Sequence, residues 1–352
     1  MYKILSINPG STSTKIAVYD DENLLSLHTI RHSNDDLSGF KNVFDQYDFR
    51  KNIILKRLAD DDFDLNDLSA VVGRGGLMRP IESGVYEVTE QMIEDLRMAG
   101  QHASNLGAPL AFEIAGQIPN CRAFVTDPVT VDELSDIARV SGHPLFPRRS
   151  TFHALNHKAI GRKYAISLGT TYDKLNLVIA HLGGGVSVAA HKYGKVVDTN
   201  QALDGFGPFS PERSGTIDAG ELIKVCFDGK YSKSQLQKML VGQGGLIAHL
   251  GTSDVKIITQ RIAEGDEKAR LALEAMAYNV GKEIGAMLAV LEGKADAVIL
   301  TGGIANSQFV VNTIKKMVSP LAHLVVYPGE DEMEALATAG LRVLRGEQTK
   351  IY

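Results

Sequence analysis

Asn176-Leu177-Val178-Ile179-Ala180-His181-Leu182-Gly183-Gly184-Gly185-Val186-Ser187-Val188-Ala189-Ala190 reads as a buried strand, a turn of small residues and a second strand. Tyr193-Gly194-Lys195 turns the chain into a third strand at Val196-Val197-Asp198. The same order opens the chain. Lys3 to Asn8 is apolar-rich, Pro9-Gly10-Ser11-Thr12-Ser13 is turn chemistry, and Thr14 to Tyr19 alternates and is β-branched. Asp20-Asp21-Glu22-Asn23 then leads into a third strand over Leu24–Ile30. Strand, small-residue turn, strand, turn, strand thus occurs twice, in pattern more than in identity, and a repeat bears on the whole fold. Two copies of one α/β unit would place a cleft between them, where ligands usually sit.

Helical periodicity is expected over Leu37–Ala59, Glu90–Met98, Pro109–Gln117, Arg149–Leu168, Ile217–Phe227, Ser253–Leu291, Asn306–Met317 and Glu332–Leu344. Short strands at Ala70–Val72, Ala123–Val125, Val298–Leu300 and His323–Tyr327 alternate with them, which predicts an α/β fold with parallel pairing.

The 352 residues allow about two domains of roughly 150 each. With 44% hydrophobic and 22% charged residues, the chain is neither disordered nor collagen-like. Its 34 glycines exceed the usual share and call for tight turns or for backbone that approaches a ligand closely. A net charge of −5 with no lysine-rich block argues against a nucleic-acid partner. Cys121 and Cys226 form no disulfide framework or zinc cluster and fit a reducing cytosol. The N-terminus does not read as a signal peptide, and no apolar run is long enough for a transmembrane helix. A cytoplasmic protein with no membrane partner is expected.

No Gly-Lys pair is followed by Ser or Thr, so there is no Walker A loop, and no GxGxxG opens a helix. His153 and His157 are four apart, but no third metal ligand is evident. What remains are two small-residue turns, each after a buried-looking strand. Small residues at Ser11-Thr12 and at Gly183-Gly184-Gly185 let N–H groups and hydroxyls face an anion, although either turn alone reads equally as a hairpin. At Gly302-Gly303-Ile304-Ala305-Asn306, a strand runs into a helix through Gly-Gly, where backbone could lie flat on an adenine or ribose.

In this order the motifs resemble those of the acetate and butyrate kinases, within the superfamily of actin, Hsp70 chaperones and sugar kinases. Asn8-Pro9-Gly10-Ser11-Thr12-Ser13 is similar to the family's Asn-Ala-Gly-Ser-Ser-Ser, and Phe152-His153-Ala154-Leu155-Asn156-His157 to Phe-His-Gly-Thr-Ser-His. His181-Leu182-Gly183-Gly184-Gly185 resembles His-Leu-Gly-Asn-Gly, and Arg213-Ser214-Gly215-Thr216-Ile217-Asp218 resembles Arg-Ser-Gly-Asp-Ile-Asp. Gly73-Arg74-Gly75-Gly76, Asp127 after its strand and Gly302–Ser307 fall where the family has its first active-site arginine, an aspartate and the adenosine segment.

The resemblance implies duplicated ribonuclease H-like domains, over 1–148 plus the helix in 331–352 and over 149–330. It implies direct transfer of a phosphoryl group from ATP to a carboxylate, giving an acyl phosphate and ADP, with Mg2+. It places Arg74, Arg213, His153, Asp127 and Asn8 in catalysis, and His102, Phe152, His181, Gly183, Gly184, Gly185, Ser11 and Thr12 on substrate or phosphate. Gly302, Gly303, Ile304 and Asn306 would bind nucleotide, and Asn8 and Glu332 would stand on the metal side; Glu332 could equally serve its own helix start. His-Asn-Pro of acetate kinases is His102-Ala103-Ser104 here, and a Val-Val pair has become Gly75-Gly76. Loss of those valines predicts room for butyrate or a branched acid such as isobutyrate, with acetate or propionate as the alternative. The family also suggests a homodimer or larger homo-oligomer. Rival readings are a sugar kinase, which would need a carboxylate base, and a non-catalytic ATP switch.

Overall fold

A computed structural model describes residues 1–352. The chain forms two compact units, Met1–Val131 with Asp331–Tyr352, and Asp132–Glu330. Residues 132–148, which the sequence reading put in the first unit, pack with the second. Ser135 bonds to Val197, Arg148 pairs with Asp198 at 2.6 Å, and Glu133 pairs with Lys158.

Strands β1 (Lys3–Pro9), β2 (Ser13–Asp20), β3 (Asn23–Arg31), β4 (Leu68–Arg74), β5 (Val85–Glu87) and β6 (Arg122–Thr126) make the first sheet, ordered β3-β2-β1-β4-β6-β5. The second contains β7 (Asn176–Leu182), β8 (Val186–Lys192), β9 (Lys195–Thr199), β10 (Ala297–Gly302) and β11 (Leu324–Pro328), ordered β11-β10-β7-β8-β9. Each sheet begins as a three-stranded antiparallel meander, and its first strand then pairs in parallel with a later one, β1 with β4 and β7 with β10. The repeat legible in the sequence is therefore a repeat of topology.

The central strands are apolar on both sides because helices cover both faces. In the first unit Leu5, Ile7, Val71 and Val125 share a core with Ile54 and Leu58 of helix Tyr47–Asp60. On the other face the C-terminal helix, Glu332–Leu344, sets Gly340 against Val72 and Ile4. In the second unit Val178, Ala180, Val188 and Leu300 pack with Leu273, Val280 and Ile284 of helix Glu267–Val290, so that helix is core. Leu177, Ile179 and Ile299 face helix Ala154–Ser167.

Several helices differ from the sequence reading. The stretch Leu37–Ala59 breaks at Gly39, where one short helix ends, and resumes after Asn42 caps a new start. Ser253–Leu291 splits into Val255–Ala263 and Glu267–Val290, because Gly265 is left-handed and the Asp266 side chain accepts from Ala269 N. Helix Ala154–Ser167 starts five residues later than 149, since Thr151 pairs with Gln201 in extended form. Lys233–Leu240 and Gly245–Leu250 are additional helices, and β5 is an additional strand. No helix is long and apolar enough to cross a membrane.

Gly302 ends β10 at φ +90°, and a Cβ there would stand 2.4 Å from Leu182 O. Gly302→Ala should cost roughly 1–3 kcal/mol. Gly285→Ala, in a helix where nothing lies within 4 Å of the added carbon, should gain about 0.5–1 kcal/mol. Opposite shifts of the thermal midpoint would verify both.

Candidate active site

In the first unit the site is built where β1, β4 and the C-terminal helix end together. Arg74, the last residue of β4, directs Nη1 at both oxygens of Glu332, at 2.8 and 2.9 Å. Asn8, near the end of β1, donates from Nδ2 to the same carboxylate at 2.6 Å and accepts from Arg74 at 3.3 Å. Of the residues expected here, Asn8, Arg74 and Glu332 thus form one cluster. Asp331, not Glu332, is the residue at the helix cap, and the Glu332 side chain is spent on Arg74.

The Ser11–Ser13 turn stays exposed at its tip, with Ser11 and Thr12 open to solvent. Beneath it lies Arg50, wholly buried, which the sequence reading missed. Arg50 donates to Ser13 O (3.0 Å), Thr14 Oγ1 (2.9 Å), Ser11 O (3.3 Å) and Gln46 Oε1 (2.9 Å). No carboxylate pairs with it, and burial pulls its pKa down to about 10, which leaves it charged at neutral pH. The signal was available: Arg50, Ile54 and Leu58 recur every four residues on the buried stripe of one helix.

His102 Nδ1 lies 2.6 Å from Ser104 Oγ. Desolvation by its neighbours and the charge of Arg74 lower its pKa, although the residue as a whole is exposed. Asp127 is buried with a left-handed φ of 39° and accepts from Gly84 N at 2.8 Å.

The expectation that Gly75 and Gly76 open a pocket is not met. A Cβ on Gly75 would fall 2.5 Å from Pro128 Cβ, and one on Gly76 would fall 2.4 Å from Asn105 Oδ1. Neighbours already occupy the space that valines would take, so these glycines supply no room for a longer acyl chain.

In the second unit the rings of His153 and His181 stack at 3.9 Å with 16° between planes. His181 Nδ1 meets Asn156 Oδ1 at 2.9 Å and its Nε2 meets Glu330 Oε1 at 3.2 Å. Phe152 is buried edge-on against His157. Arg213 lies over the Gly183–Gly185 turn: a Cβ on Gly185 would come within 2.0 Å of its Nη1. That atom also bonds to Ala202 O. Burial lowers the pKa of Arg213, against the opposing charges of Glu212 and Asp204.

A cavity of about 660 Å³ joins Gly183 and Gly184 to Gly303, Ile304 and Asn306, two glycine sites 120 residues apart. Lys256, Asp254 and Phe309 also line it and were missed, because nothing in their local pattern marks them. Gly302 itself serves the backbone turn.

The family model of the acetokinase family matches residues 139–349. A probable butyrate kinase of Bacteroides thetaiotaomicron is 53% identical over 346 residues, covering 98% of either chain. Butyrate kinase 1 of Clostridium acetobutylicum is 50% identical over 350 residues, 99% of this chain and 98% of its own. The chain belongs to the acetokinase family. It is accordingly an ATP-dependent phosphotransferase acting on a carboxylate. The crystal structure of Porphyromonas gingivalis acetate kinase, 20% identical, matches with a TM-score of 0.82 over 98% of this chain and all of that one, a likeness of fold.

In this acetokinase the Gly185 backbone seats the Arg213 guanidinium. Gly185→Ala should displace it by an ångström or more and lower kcat/KM about 10²-fold. Because the atom struck is the far end of a side chain, the thermal midpoint should move little, as parallel kinetics and melting would record.

Proposed function

We propose that this chain transfers the γ-phosphoryl group of ATP directly to butyrate or a branched short-chain acid, reversibly giving an acyl phosphate and ADP. The observation that carries the acyl preference is the identity of 50–53%, over nearly the full length, to butyrate kinases. The Gly75–Gly76 turn no longer supports it.

Phosphoryl transfer to a carboxylate needs no base to create the nucleophile; it needs alignment and neutralisation of charge on the equatorial oxygens. Arg74 and Arg213 suit that task, since guanidinium keeps its charge and offers a planar fork. Glu332 and Asn8 hold Arg74 in one rotamer, and the Gly185 backbone and Ala202 O hold Arg213. His153, His181 and the Gly183–Gly185 turn would contact the phosphates, while the Ser11–Thr12 turn, with the uncancelled charge of Arg50 beneath it, would seat an anion. Nucleotide would occupy the 660 Å³ cavity, with Gly303, Ile304 and Asn306 on the adenosine.

Magnesium is part of the same reading and would neutralise phosphate oxygens. The Glu332 carboxylate has both oxygens on Arg74 and one also on Asn8 Nδ2, so it is not free to take the ion. Asn8 Oδ1, which accepts from Arg74 only at 3.3 Å, is the hard oxygen donor that would stand on the metal side, with water and phosphate filling the other positions.

A hydroxamate trap for acyl phosphate across C2 to C6 acids, with ATP and Mg2+, is the test. The expected maximum of kcat/KM lies at C4 or C5; a higher value for acetate would overturn the acyl assignment. Arg74→Ala and Arg213→Ala should each lower kcat by on the order of 10²–10³.

A further inference from the structure

Behind His153 lies a row of buried polar groups. His153 Nδ1 is 2.8 Å from Ser187 Oγ, which is 2.9 Å from His157 Nε2. His157 Nδ1 is 3.2 Å from His191 Nε2, and His191 Nδ1 bonds to the Tyr172 hydroxyl. Ser187, His157 and His191 are wholly buried. Ser187 and His191 share one face of β8, and helix Ala154–Ser167 brings His157 onto that face.

We propose that Tyr172, His191, His157 and Ser187 form a directional hydrogen-bond chain that fixes the proton of His153 on Nε2, the nitrogen away from Ser187. The four are positioning residues.

A neutral imidazole has one donor and one acceptor nitrogen, so each ring passes on the direction it receives. Both inner rings are neutral: burial holds His157 and His191 well below the usual imidazole range, and the Lys158 ammonium, paired with Glu133, lowers both further, as do His191 and His181 for His157. With the Ser187 O–H donating to one of its two ring partners and its oxygen accepting from the other, two orders run the length of the chain. In the first, Tyr172 O–H donates to His191 Nδ1, His191 Nε2–H to His157 Nδ1, His157 Nε2–H to Ser187 Oγ, and Ser187 O–H to His153 Nδ1. His153 is left with its proton on Nε2, and the His153 N–H, 3.3 Å from Ser187 Oγ, adds a compatible donor. In the second order every arrow reverses and Nε2 of His153 is bare.

The phenol decides. Lys158 and Arg162 lie over the Tyr172 ring at 5.6 and 6.0 Å, and two cations there strengthen Tyr172 as a donor and weaken it as an acceptor. The first order also presents an N–H, not a lone pair, to a phosphoryl oxygen. That last point rests on the proposed role of His153; the chain itself does not.

Histidine side-chain 15N shifts of selectively labelled protein separate the two. The wild type should show His153 in the Nε2–H form. Tyr172→Phe should mix its tautomers and lower kcat about tenfold with KM for ATP unchanged, as loss of an orienting partner does. Ser187→Ala, which cuts the chain between His157 and His153, should have the same effects if Tyr172→Phe does not fold. A wild-type His153 in the Nδ1–H form, or variants with tautomer and kcat both unchanged, would overturn the proposal. If His153→Ala leaves kcat intact while the tautomer follows Tyr172, the phosphoryl role of His153 falls and the chain stands.

Discussion

The contact between Arg74 and Glu332 joins residues 258 positions apart and brings three strand and helix ends to one place. Ion pairs that keep contact with solvent contribute only about 0–1 kcal/mol, so the value of this partly exposed pair lies in geometry. With both carboxylate oxygens within 3 Å of Nη1 and Asn8 bonded to both partners, the arginine has little freedom left. A guanidinium that waits in one rotamer loses little entropy when an anion arrives. The C-terminal helix thus supplies one wall of the Arg74–Asn8 cluster in the first unit, and its Gly340 lets it lie close enough on β4 to do so.

The second unit handles charge differently. Its deep polar groups are neutral rings and hydroxyls bonded in series, with one fully paired cation, Lys158, beside them. Burying a neutral satisfied network costs far less than burying unpaired charge. Arg50 is the exception in the molecule: a buried guanidinium satisfied only by neutral oxygens. Such a site is least costly when an anion sits near it, which is where the Ser11–Thr12 turn stands.

Much of this was legible beforehand. Period-two alternation and glycine turns marked both hairpins, because strand pairing between neighbours is a short-range matter. Helix ends were less visible: the breaks at Gly39 and Gly265 lie inside stretches whose apolar spacing resumes on the far side. Arg74, Asn8 and Glu332 were named, but not that they touch. Arg50 was read only as part of a helix, and His191 and Tyr172 fell between the elements read and were given no role, since a polar residue on an apolar face shows its purpose only through its partners.

Gly75 and Gly76 show where the limit lies. A missing side chain is a fact of sequence, whereas the space it leaves belongs to whatever packs there, here Pro128 and Asn105, distant in the chain. The sequence by itself determined the twofold α/β pattern, the glycine turns and the family. The tertiary structure decided which atoms fill each gap, which carboxylate holds Arg74 and which way the histidine chain can run. Local pattern follows from neighbours a few residues apart; contact, burial and hydrogen-bond direction depend on groups that only folding brings together.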